Sequence, residues 1–223
     1  MANGRELRKR YGATTITGPF LRLSTEVFMK ISHVAFVALL APISLAAQQP
    51  SAAPTANPIT ASFKARIMNL HRNVGQALDS IPESKFSYKP TAVQMTVGNI
   101  AQHVANDNYF FCDTFGSMKG TRPADETSTP DSVKATWSKA KLMASLKESF
   151  AYCDKALDQV DDKTLADQVT ITFGGNSRSV TRSGMVLLHA LDLADHYSQL
   201  ANYMRLNNMV PPTALPRPRP TGT

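Results

Sequence analysis

The chain has 223 residues, 43% hydrophobic and 18% charged, which suits one packed domain with tails and excludes both a disordered chain and an integral membrane protein. Its net charge of +7 is concentrated at the start: residues 1–46 carry six of the 24 basic residues and two of the 17 acidic ones, leaving about +3 elsewhere. A domain this close to neutral lacks the electrostatic footprint of a nucleic-acid binder.

Residues 34–47 (VAFVALLAPISLAA) form a fourteen-residue apolar run after Lys30 and before Gln48-Gln49-Pro50. A basic start, a short apolar stretch and a small-residue end predict a signal peptide over 29–47, cleaved after Ala46 or Ala47. The alternative is an uncleaved anchor, for which the run is short. Met29-Lys30 is a natural start, so residues 1–28 are expected to be an annotation extension. Residues 48–58, rich in Ala, Pro, Ser and Thr, read as a flexible linker. The mature protein is expected to be periplasmic or secreted, without a stable membrane span.

Four amphipathic stretches then predict an all-α four-helix bundle over 59–212. In the first (59–80), Phe63, Ile67, Leu70, Val74 and Leu78 recur at helical spacing and Pro82 ends the run. His71 lies one residue off this stripe and reads as a surface or capping residue. Residues 83–95 should be extended. The second helix should begin behind Thr96 as N-cap and run to 117, with Val97, Ile100, Val104, Phe111 and Phe115 inward. Residues 120–130 read as a polar loop. The third helix should span 138–160 on Leu142, Leu146, Phe150, Cys153 and Leu157. Residues 161–181 alternate around Gly174-Gly175-Asn176-Ser177 and predict a hairpin or an irregular excursion. The last helix should run over 182–208, before Pro211-Pro212 and a disordered tail at 213–223.

The last helix carries an unusual seam. Met185, His189, Asp192, His196, Gln199, Tyr203 and Leu206 follow one another at spacings of three and four. Three successive ionisable groups facing a core need partners or a ligand, because burying one alone costs several kcal/mol. Asp192 and His196 are one turn apart and can share an ion; His189 with Asp192 is a second pairing. A further ligand must come from another helix, and His103 on the second is the candidate, with Asp107 four residues on to support it. His103, Asp192 and His196 would make a two-His, one-carboxylate site for zinc, nickel, iron or manganese. Asp192, Gln199 or Tyr203 could assist proton transfer, but the spacing assigns no catalytic residue.

Four motifs, in order, resemble the DinB-like family: SKFSYKP (84–90), TVGNIAQHVANDNYFFC (96–112), SFAYCDKAL (149–157) and HYSQLANYMRLNNMVPP (196–212). The resemblance implies an up-down-down-up bundle, often dimeric, with a divalent metal held by three His. Two of these match His103 and His196; the third falls on Asp192, a departure that changes the charge and metal preference of the site. Known family activities include transfer of low-molecular-weight thiols and a thiol-dependent isomerisation, with metal activating the thiolate. For this chain two functions follow as expectations: a metal-dependent transferase or hydrolase acting on an unidentified small molecule, or a non-catalytic metal- or ligand-binding bundle of stress-response type. Cys112 and Cys153, in no CxxC pair, are open to two readings: a disulfide between antiparallel helices, or two buried thiols.

Overall fold

The computed structural model describes residues 56–116 and 118–216. The expected extension, the signal peptide and nearly all of the linker lie outside these residues. Four long helices, α1 (Pro58–Ser80), α2 (Val97–Phe115), α5 (Lys139–Leu157) and α6 (Arg182–Leu206), carry the fold, with short helices α3 (Ala124–Ser128) and α4 (Asp131–Lys134) between α2 and α5. Strands β1 (Gln168–Phe173) and β2 (Asn176–Thr181) form an antiparallel hairpin before α6.

Three of the long helices begin where a hydroxyl can serve the first free amides. Thr96 accepts from the Asn99 amide, Ser138 from that of Lys141, and Thr181 from that of Gly184. The fourth, α1, has no cap of its own: Asp162, from beyond α5, accepts the Ile59 amide at 3.1 Å and the Thr60 amide at 2.7 Å. The hairpin turn places Gly174 and Gly175 at φ 56° and 81°, the positive values a tight two-residue turn requires.

The packing is up-down-down-up. Thr60 at the start of α1 meets Asp162, while Lys139 at the start of α5 donates to the Ile81 carbonyl at 2.9 Å, so α1 and α5 are antiparallel. Asn108 meets Ser149 and Cys112 meets Cys153, so α2 and α5 run parallel. Asn108 meets His189 and the Met95 carbonyl meets Tyr203, so α2 and α6 are antiparallel. A parallel α2–α5 pair requires a crossover the length of the bundle, which residues 116–138 supply. The core draws Ile67, Val74 and Leu78 from α1, Ile100, Val104 and Phe115 from α2, Leu142 and Leu146 from α5, and Leu193 and Leu200 from α6. Each such side chain contributes roughly 1.5–3 kcal/mol by leaving water.

The two cysteines are bridged, with Cα atoms 5.3 Å apart. The helices they join are parallel, not antiparallel as expected; the bridge closes because both residues lie near the C-terminal ends of their helices. The expected polar loop at 120–130 instead contains α3 and leads into α4. Its charges are anchored inside: Lys134 is buried and bonds Asn106 at 3.0 Å and Asp131 at 2.9 Å, and Ser145 donates to buried Glu126. His71 is no surface residue. It is buried and stacked on Phe150 with centroids 4.1 Å apart, because α1 packs on both α5 and α6 and its inward face is wider than one stripe. Leu206, placed on the inward seam by spacing, is 61% exposed at the last residue of α6. Packing continues past Pro212, since Thr213 bonds the Tyr197 hydroxyl through Oγ1 at 2.8 Å; residues 217–223 of the expected tail lie outside the described residues.

Candidate metal centre

Where α2 and α6 cross antiparallel, each presents an Asp and a His one turn apart. On α2 His103 Nε2 is 3.1 Å from Asp107 Oδ2; on α6 His196 Nε2 is 3.4 Å from Asp192 Oδ1. The i,i+4 spacing stacks both members of each pair on one helix face. The antiparallel crossing sets His103 against His196, with ring centroids 4.8 Å apart and planes at 81°. One donor atom from each of His103, Asp107, Asp192 and His196 lies within 4.8 Å of the others.

The three residues singled out from sequence are thus brought together, and Asp107 joins them as a full member of the cluster rather than a distant support. The signal for it was present: His103 and Asp107 repeat, in reverse order, the spacing of Asp192 and His196. His196 is buried and the other three are half-buried, so the cluster opens to solvent on one side. Two polar atoms of its residues, His196 Nδ1 and Asp192 Oδ2, are buried without a hydrogen-bond partner among the described residues. Such atoms are costly unless something fills the site.

The charges are strongly coupled. Burial, and then the neighbouring His196, hold the His103 imidazole below its ordinary pKa and favour the neutral ring that ligates metals. Burial works against protonated His196 too, but the hydrogen bond and charge of Asp192, with Asp107 and Asp195, outweigh it and raise its pKa. Burial, reinforced by Asp192, pushes the Asp107 carboxyl up to about 7.

His189, the other pairing considered for Asp192, belongs elsewhere. It is fully buried, and its Nε2 lies 2.9 Å from Asn108 Oδ1. Asn108 spends its amide NH₂ on Ser149 Oγ at 2.8 Å, so Oδ1 accepts from His189. His189 also lies near Cys112 and Cys153, but their sulfurs are joined and offer no thiolate. The other seam residues are engaged away from the cluster: Gln199 donates to Asp195 at 2.9 Å and the Tyr203 hydroxyl to the Met95 carbonyl at 3.1 Å.

A four-helix bundle with an imidazole–carboxylate cluster between two antiparallel helices is the class that the fold and this grouping define. Within it, the chain belongs to the DinB superfamily, whose family model matches residues 67–200. Solved structures agree in fold. A DinB-like protein from Bacillus cereus ATCC 10987 is 16% identical, with 68% of this chain and 95% of that one covered at a TM-score of 0.54. YfiT from Bacillus subtilis, described as a probable metal-dependent hydrolase with an unusual four-helix bundle topology, is 14% identical, with 72% and 94% covered at 0.52. The DinB-like YjoA of Bacillus subtilis is 17% identical, with 70% and 96% covered at 0.51. No curated protein matches the sequence.

Proposed function

We propose that this chain is an exported metal-dependent hydrolase in which His103, Asp192 and His196 hold a divalent ion and Asp107 accepts a proton from water. The reading is carried by one observation: four donors converge within 4.8 Å, and two of their buried polar atoms lack any other partner. The donor set suits a borderline dication, zinc, nickel, iron or manganese, since two imidazoles and carboxylate oxygen are ligands all four accept. Asp192 and His196 occupy the paired position on the last helix that the family's motif gives to ligands; Asp107 does not, which leaves it as the base.

A divalent ion held there would supply Lewis acidity toward water and toward a carbonyl or phosphoryl oxygen. The chain's own residues do the rest. Asp107 Oδ2, beside His103, is placed to take a proton. His103, Asp107 and Asp192 are half-buried, so the cluster is reachable from solvent. The fold relationship to YfiT, itself described as a probable metal-dependent hydrolase, supports the reaction class. Export is supported by the disulfide, which persists in oxidising compartments.

Elemental analysis and zinc titration of the full chain test the proposal. Wild type should bind one divalent ion and His103→Ala should bind at least tenfold more weakly. A wild type that takes up no divalent ion after reconstitution refutes it.

A further inference from the structure

The two faces of the hairpin differ in a way the bundle alone does not require. Ile171 pairs with Arg178 across the strands and Val169 with Val180, and directly paired residues share a face. Ile171 is buried, so this face looks onto the helices, and Arg178 shares it. Arg182, a few residues on, is paired with Asp167 at 3.7 Å; Arg178 has no acidic partner among the described residues.

Arg178 stands at a groove of about 460 Å³ whose other walls include Phe110 and Phe111 from α2, Ile171, and Met185 and Leu188 from α6. Phe110 and Leu188 are 36% and 43% exposed at its mouth. Phe110 lies three residues beyond Asp107, and Leu188 four before Asp192, so the groove begins about one helical turn from the candidate metal centre. It continues the same α2–α6 seam, apolar where the centre is polar, with Arg178 as a cation that has no acidic partner among the described residues.

We infer that this groove selects the substrate: an amphiphilic anion whose hydrocarbon or aryl arm lies along Phe110, Phe111 and Leu188 and whose anionic end meets Arg178. Apolar walls exclude water from the arm, and the exposed guanidinium of Arg178 offers paired donors to the anionic end at the edge of the groove. Which bond is cut rests on the proposed metal centre; the recognition of this ligand class does not.

Calorimetric titration of the EDTA-treated full chain with decanoate, and with neutral decanamide, separates the two. Wild type should bind both, decanoate more tightly. Arg178→Gln, at an exposed hairpin position, should weaken decanoate at least tenfold and change decanamide by less than twofold. Leu188→Asp should weaken both, with circular dichroism verifying that it folds. No decanoate binding by wild type, or equal binding by wild type and Arg178→Gln, overturns the inference. A second copy of the chain seated on the groove would appear as a dimer in light scattering that Leu188→Asp splits, without decanoate binding, and would also overturn it. Zinc titration of the same samples keeps the readings apart: decanoate binding without zinc uptake removes the metal centre and leaves the groove, and the reverse removes the groove alone.

Discussion

His103 and His196 meet edge to face, ring centroids 4.8 Å apart, from helices that run in opposite directions. Each brings an aspartate one turn along its own helix. The antiparallel crossing therefore turns two ordinary i,i+4 pairs into a four-donor cluster.

The two aspartates should separate in their roles. Asp192→Ala should weaken zinc binding at least tenfold, whereas Asp107→Asn should keep the affinity within a few-fold of wild type and remove hydrolytic turnover. Asp192→His, which restores the third imidazole of the family pattern, should bind zinc at least as tightly as wild type. Zinc titrations of the three variants check this; a large affinity loss in Asp107→Asn would make that residue a ligand and not the base.

His189 should make the protein acid-sensitive. Burial, and then the neighbouring His71, push its pKa down to about 3. The unfolded chain gains this proton near pH 6.5 and the folded chain only near 3, so stability is complete above about 6.5 and falls as pH drops between these values, by up to about 1.4 kcal/mol per pH unit. His189→Gln should be less stable at pH 7 yet lose less between pH 7 and 4. Urea midpoints across that range measure it, and parallel curves for the two proteins would contradict the assignment.

The disulfide should contribute strongly. It closes a separation of 41 residues spanning the crossover between α2 and α5. Loop-closure entropy predicts a loss of about 4 kcal/mol in a Cys112→Ala, Cys153→Ala double variant. Chemical denaturation under oxidising and reducing conditions reports it; equal stability in both would show that the bridge constrains nothing.

Gly98 should tolerate no side chain. A Cβ there would run into the Ala135 carbonyl oxygen just beyond α4 and press on that of Phe86, which already accepts the Gly98 amide at 2.8 Å. Gly98→Ala should cost about 1–3 kcal/mol by forcing backbone apart. A urea midpoint unchanged from wild type would show that the crossover yields freely.

Asn108→Ala should leave the His189 Nε2–H buried without an acceptor, since Asn108 is its hydrogen-bond partner. The expected loss is about 1–3 kcal/mol at pH 7. Thermal melts of the variant beside Asn108→Asp distinguish a missing acceptor from a general loss of packing.

Local pattern determined a good deal. The apolar recurrence from Ile67 to Leu78, the cap at Thr96 and the double glycine at 174–175 each act within a turn or two of chain, so they can be read without knowing what lies across the bundle. So can the pairing of Asp192 with His196, since it is a property of one helix.

Only the tertiary structure decided which faces were doubled and what met across them. His71 became buried because α1 has two neighbours, Lys134 because a charge on the crossover found Asn106 on α2, and Cys112 met Cys153 because α2 and α5 run parallel. Asp107 entered the cluster, and His189 left it for Asn108, by the same rule. Helix periodicity states which residues share a face, but the depth, direction and partner of that face come from contacts between residues far apart in the chain.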